Sequence, residues 1–131
     1  MPIIERLTDV PGVATAARYA HAVTATGKFA FIAGQVAMDA DGNLVGPGDF
    51  AAQTRQSLRN LESVLTALGA GWSDVVRFNW YLIDASQVQI LRDVRDEFIK
   101  EPNLAASTLI QVAGLFKPDY LVEVDAVVAV P

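Results

Sequence analysis

Cysteine is absent from this chain of 131 residues, which removes disulfides, thiolate nucleophiles and the common structural zinc sites. Histidine is nearly absent. His21 stands alone, so a multi-histidine metal centre and a two-histidine nuclease are excluded as well. No run of about 18 uncharged apolar residues occurs, and the first residues lack a charged start followed by an apolar segment. The expectation is a soluble, cytoplasmic protein with no membrane partner. Positive charge is also in short supply: 10 Lys and Arg against 15 Asp and Glu give a formal charge of -5. The basic residues are scattered, so nothing resembles a footprint for a phosphate backbone, and no nucleic-acid partner is expected.

What the chain does have is apolar content, 52% of residues with no low-complexity run, enough for a substantial core in a single domain spanning 1–131. Two β-rich runs, 21–25 and 29–37, flank Thr26-Gly27-Lys28 and read as a hairpin. Asp39 to Asn43 and Gly46-Pro47-Gly48 are breakers. Asp49 then caps a helix whose apolar positions Phe50, Leu58, Leu61, Val64, Leu65 and Leu68 have helical spacing, with Gly69 closing it. A strand over 75–83 follows, and Ser86 with Gln89 reads as a capping box for a second helix that Pro102 stops. Its stripe is Val88, Leu91, Val94 or Arg95, and Phe98. The segments 104–115 and 121–130 read as two final strands joined through Lys117-Pro118-Asp119. The pattern is α+β, with helices enough for one side of one sheet. Because the last two strands and 29–37 carry consecutive apolar residues, both sheet faces need cover, and a closed homo-oligomer would hide the second.

Within the last strand Glu123 and Asp125 stand two residues apart in an otherwise apolar run, so both carboxylates share one face. An unpaired buried charge costs roughly several kcal/mol unless it is hydrogen bonded or its pKa rises, which makes such groups candidates for acid/base work. The plainer reading is a structural carboxylate paired with an arginine or a backbone N–H. Asp125 reads as an interface or solvated charge, or as the coupled partner of Glu123. His21 reads as a structural histidine.

Six blocks in order carry a family resemblance: Tyr19-Ala20-His21-Ala22-Val23, Phe31-Ile32-Ala33-Gly34-Gln35-Val36, 49–61 with Ala52-Gln53-Thr54-Arg55-Gln56, 75–84, 105–115, and Val122-Glu123-Val124-Asp125-Ala126-Val127. Together the chain resembles the Rid proteins, also called the YjgF family and historically filed as L-PSP endoribonucleases or translation inhibitors. The resemblance implies a chorismate-mutase-like fold, with one six-stranded mixed sheet and two helices on one face. It also implies a homotrimer with small-molecule clefts between subunits. The implied activity is hydrolysis of reactive enamines or imines to carbonyl products and ammonia, with a small-molecule metabolite as partner and no metal or organic cofactor. By alignment Glu123 is the catalytic carboxylate. Tyr19, Gly34, Arg92, Ser107 and Leu109 are cleft positions.

Ser107 departs from the family pattern, in which an arginine at that position clamps the substrate carboxylate. Two charge-assisted hydrogen bonds at roughly 1.5 to 3 kcal/mol each are lost with it, on the order of 100-fold or more in affinity. Either Arg92 or Arg18 supplies the charge, or the ligand is not an α-imino acid; the sequence favours the second. Ser107 has no neighbouring histidine and is no nucleophile. Three other readings stand beside the enzyme: a non-catalytic, metabolite-binding trimer; an N-terminal-proline tautomerase using Pro2; and the historical ribonuclease, for which a lone histidine and an acidic chain offer no chemistry.

Overall fold

The computed structural model describes residues 1–131. Its strands are β1 (Ile4–Leu7), β2 (Ala22–Ala25), β3 (Lys28–Gln35), β4 (Val75–Leu82), β5 (Ala106–Gln111) and β6 (Val122–Val130); its helices are α1 (Phe50–Ala67) and α2 (Val88–Arg95). Six strands are present as expected, but they form two sheets. The order β3-β6-β4-β5 makes a four-stranded sheet, parallel only between β4 and β5, while β1 and β2 form a separate antiparallel ribbon.

The expected hairpin across Thr26-Gly27 is therefore not formed. β2 spends its pairing edge on β1, from Ile4 opposite Ala25 to Leu7 opposite Ala22, and β3 pairs with β6. A bridge ties Ala20 to Ala106 at the start of β5, and two residues after β2 the chain enters β3, the opposite edge of the sheet. The ribbon thus crosses the end of the sheet. Gly27, with φ at +105°, makes the sharp entry into β3.

Helix α1 follows its sequence signals. Asp49 is extended and its side chain accepts from the Ala52 N–H at 3.0 Å, while Leu68 ends the helix and Gly69 turns away at φ +69°. Phe50, Leu58, Leu61 and Leu65 are buried in one core with Ile32, Phe78, Trp80, Val124, Ala126 and Val128 from the sheet and Leu91 and Val94 from α2. Both helices lie on this face. The capping box is not formed: Asp84 accepts from both the Ser86 N–H at 2.9 Å and its hydroxyl at 2.7 Å, a short 3-10 turn over Ala85–Gln87 comes first, and Gln89 bonds Asp93 instead. The shorter aspartate two residues before Ser86 wins the contest for that N–H. Helix α2 also ends at Arg95, well before Pro102.

The last strands are shorter on the β5 side than expected, and β3 stops at Gln35 after a register shift between Ile32 and Gln35. The face away from the helices is uncovered: Phe31 is 80% exposed, and Phe29 and Ile110 are also exposed. No helix is long and apolar enough to cross a membrane.

Candidate functional site

Two cavities hold all six expected site residues, and they lie at opposite edges of the four-stranded sheet. At the β5 edge Tyr19, Arg92, Ser107 and Leu109 line a cavity of about 270 Å³ between the sheet and α2. At the β3 edge Gly34 and Glu123 line a second, of about 670 Å³. The two share no lining residue. Within one copy, Glu123 does not face the arginine side.

The β5-edge cavity is cationic. Arg18 and Arg95 join Arg92 in its wall, so both arginines that alignment offered as substitutes for the missing one stand around Ser107. Spacing explains Arg92 and Arg95, which are three residues apart on α2 and hence neighbours on one helix face. Arg95 is 6% exposed, where the sequence stripe offered it only as an alternative to Val94. Its Nη2 donates to the Arg18 carbonyl at 2.6 Å and its Nη1 to Asp96 at 3.2 Å; burial still pulls its guanidinium below the usual arginine range. Arg18 in turn pairs with Asp96 at 3.0 Å and holds a left-handed backbone, φ +64°, unusual for a residue with a side chain. Arg92 makes no hydrogen bond or ion pair within the chain. Ser107 accepts from the indole N–H of buried Trp80 at 3.1 Å, which fixes its oxygen and leaves its own hydrogen free to donate.

The β3-edge cavity is acidic. Glu123 and Asp39 both line it, and no lysine or arginine does. Glu123 accepts no hydrogen bond; burial first, and then the charge of Asp125, push its carboxyl above the usual carboxylate range. Gly34 is required by this group: a Cβ there would lie 2.2 Å from Glu123 Oε2 and 2.7 Å from its Cδ. The bulge near Gly34 thus brings bare backbone against the carboxylate. Asp125 is half-buried and partnered: Asn79 donates to one oxygen and the Tyr81 hydroxyl to the other, each at 2.8 Å.

Several supports escaped the sequence reading. Gln53 is fully buried, donates to the Gly46 and Asp119 carbonyls and accepts from the Leu121 N–H, thereby pinning the start of β6 two residues before Glu123. A glutamine on the inner face of α1 was its one visible signal. His21 meets the Ala14 carbonyl at 2.8 Å and packs edge-on against Tyr19, lining neither cavity. Pro2 sits beside Gly27 and lines neither.

Residues 11–130 match the family described as Endoribonuclease L-PSP. The chain belongs to the Rid/YjgF family. This Rid chain is 35% identical over 114 residues to a RutC family protein of Synechocystis sp., covering 86% of each. It is 31% identical over 112 residues to a protein of Dermatophagoides farinae named 2-iminobutanoate/2-iminopropanoate deaminase, covering 86% of this chain and 85% of that one. Among solved structures, YyfB of Yersinia pestis, a Rid protein of unknown function, matches with a TM-score of 0.84 at 32% identity over 95% of this chain and 97% of the other. RidA of a Psychrobacter species matches at 0.73 and 32% identity, over 88% and 91%. Two helices on one face of a mixed sheet are thus the shared Rid architecture.

Proposed function

We propose that this Rid protein hydrolyses a small imine or enamine carboxylate to the carbonyl acid and ammonia, in a cleft completed by two copies of the chain. The observation that carries the reading is the opposite charge of the two cavities at opposite edges of the sheet. A β5 edge meeting the β3 edge of the next copy is a head-to-tail contact, which closes into a ring; a homotrimer is the expected ring. The exposed Phe29, Phe31 and Ile110 give such an assembly an apolar face to bury. The name of the Dermatophagoides relative supports the choice of chemistry.

In this cleft Arg92, with Tyr19 and Ser107, holds the substrate carboxylate in the role that the arginine absent at Ser107 would have filled. Glu123 of the adjoining copy takes a proton from water as the oxygen attacks the imine carbon, and passes it to the nitrogen. The carbinolamine then collapses to C=O and ammonia, with Glu123 again carrying the proton. A carboxyl held above its ordinary range is better suited to giving and taking that proton than an ordinary glutamate. No step calls on a metal.

The test is ammonia release from 2-iminopropanoate generated in place by an amino-acid oxidase, measured against the spontaneous rate. Acceleration that vanishes in Glu123→Gln is expected. No acceleration, alongside measurable binding of the keto acid, would overturn hydrolysis and leave a metabolite-binding protein.

A further inference from the structure

Three arginines, Arg18, Arg92 and Arg95, line one cavity of about 270 Å³. Asp96 is the one carboxylate paired with any of them, at 3.0 Å from Arg18 and 3.2 Å from Arg95. Direct pairing leaves Arg92 with no carboxylate and makes Arg18 and Arg95 share one, with Glu101 adding a further charge that acts on Arg95. Arg95, 6% exposed, is held by Asp96 and the Arg18 carbonyl. A single substrate carboxylate on Arg92 would leave Arg18 and Arg95 sharing Asp96.

From this we infer that the cavity takes a small acid with two anionic groups, a dicarboxylate, one carboxylate on Arg92 and the other toward Arg18 and Arg95. The size fits. One copy alone provides about 270 Å³, room for a short carbon chain such as that of a five-carbon 2-imino dicarboxylate. Trp80, Leu91 and Leu109 provide apolar wall for the methylene groups between the two charges, and the Tyr19 hydroxyl and Ser107 hydrogen are free to bond the first carboxylate. The inference names the substrate class of the proposed imine chemistry and rests on that reading for the imine, though not for the two charges.

Calorimetric titration of the full chain with two stable keto acids, 2-oxoglutarate and 2-oxobutanoate, tests it without turnover. One additional charge-assisted contact predicts that 2-oxoglutarate binds roughly 10-fold more tightly or better. Arg18→Gln should weaken 2-oxoglutarate more than 2-oxobutanoate and so shrink that preference, whereas Arg92→Gln should weaken both to a similar degree. Equal affinities in the unmodified protein, no measurable binding of either acid, or inorganic phosphate binding as tightly as 2-oxoglutarate would overturn the inference. Dicarboxylate preference without imine turnover would keep it and sink the deaminase reading. Turnover of 2-iminopropanoate with equal keto-acid affinities would do the reverse.

Discussion

At the β5 edge every charged group but Arg92 is tied down: Arg95 bonds Asp96 and the Arg18 carbonyl, Arg18 bonds Asp96, and Ser107 is held by Trp80. At the β3 edge Glu123 accepts no hydrogen bond, while its neighbour Asp125 accepts two. The contrast matches the roles proposed for the two edges. A group that holds a fixed charge against a substrate gains from being oriented in advance, because the ordering cost is met on folding. A group that must exchange a proton gains from having its charged form left without donors, since hydrogen bonds to a carboxylate lower its pKa and keep the proton off. Asp125, bonded twice, adds to the effect of burial in raising the proton affinity of Glu123.

That division can be broken at its strongest point first. Glu123→Gln should cost imine turnover on the order of 100-fold to 10,000-fold while the fold survives, read from initial ammonia release beside thermal unfolding. The same substitution has a stability signature. Folded Glu123 keeps its proton to higher pH than the unfolded chain does, so its contribution to stability is present at low pH and is lost as pH rises from the ordinary glutamate range through the raised value. Unmodified protein should therefore lose melting temperature relative to Glu123→Gln over that window; a constant difference across pH would refute the raised proton affinity.

The support beneath the acidic edge comes next. Gln53→Leu strands the Gly46 and Asp119 carbonyls and the Leu121 N–H and should destabilise by about 2 to 4 kcal/mol in denaturant unfolding. Arg92→Gln strikes the other edge and should raise KM by roughly 10 to 100-fold with kcat little changed. Co-refolding Arg92→Gln with Glu123→Gln then asks whether the edges belong to different copies. Mixed rings should recover about one quarter of native activity, because random assembly pairs an intact arginine edge with an intact glutamate edge at that frequency. Rings that stay inactive would mean that each site lies within one chain. The smallest effect is expected from Asp125→Asn, which removes one charge beside Glu123 and should shift the pH profile of turnover toward acid by less than about one unit, visible only in a full profile.

Helix α1 was legible because every signal in it is local: Asp49 reaches the Ala52 N–H three residues on, its apolar stripe repeats with the helix, and Gly69 takes the left-handed turn. Glu123 and Gly34 were legible as individual oddities, a carboxylate in an apolar strand and a glycine beside a strand glutamine. Their contact was not, since it depends on the register shift that sets β3 against β6. The hairpin failed for a related reason. Thr26-Gly27 looks like a turn in either arrangement, and the choice between folding back and crossing the sheet end depends on the distant bridge of Ala20 to Ala106, in which the Ala20 N–H donates to the Ala105 carbonyl.

By itself, then, the sequence determined the chemistry in stock: no cysteine, one histidine, an acidic chain with a carboxylate in an apolar strand, two helices and five of the six strands, and a serine where the family resemblance implies an arginine. Tertiary structure alone decided that Arg18 would stand with Arg92 and Arg95 around that serine, and that Glu123 would lie at the opposite edge. Local pattern reports which face a residue presents, because helix and strand periods are short. Which faces meet is settled by strand order and loop closure over tens of residues, and no period in the sequence encodes that.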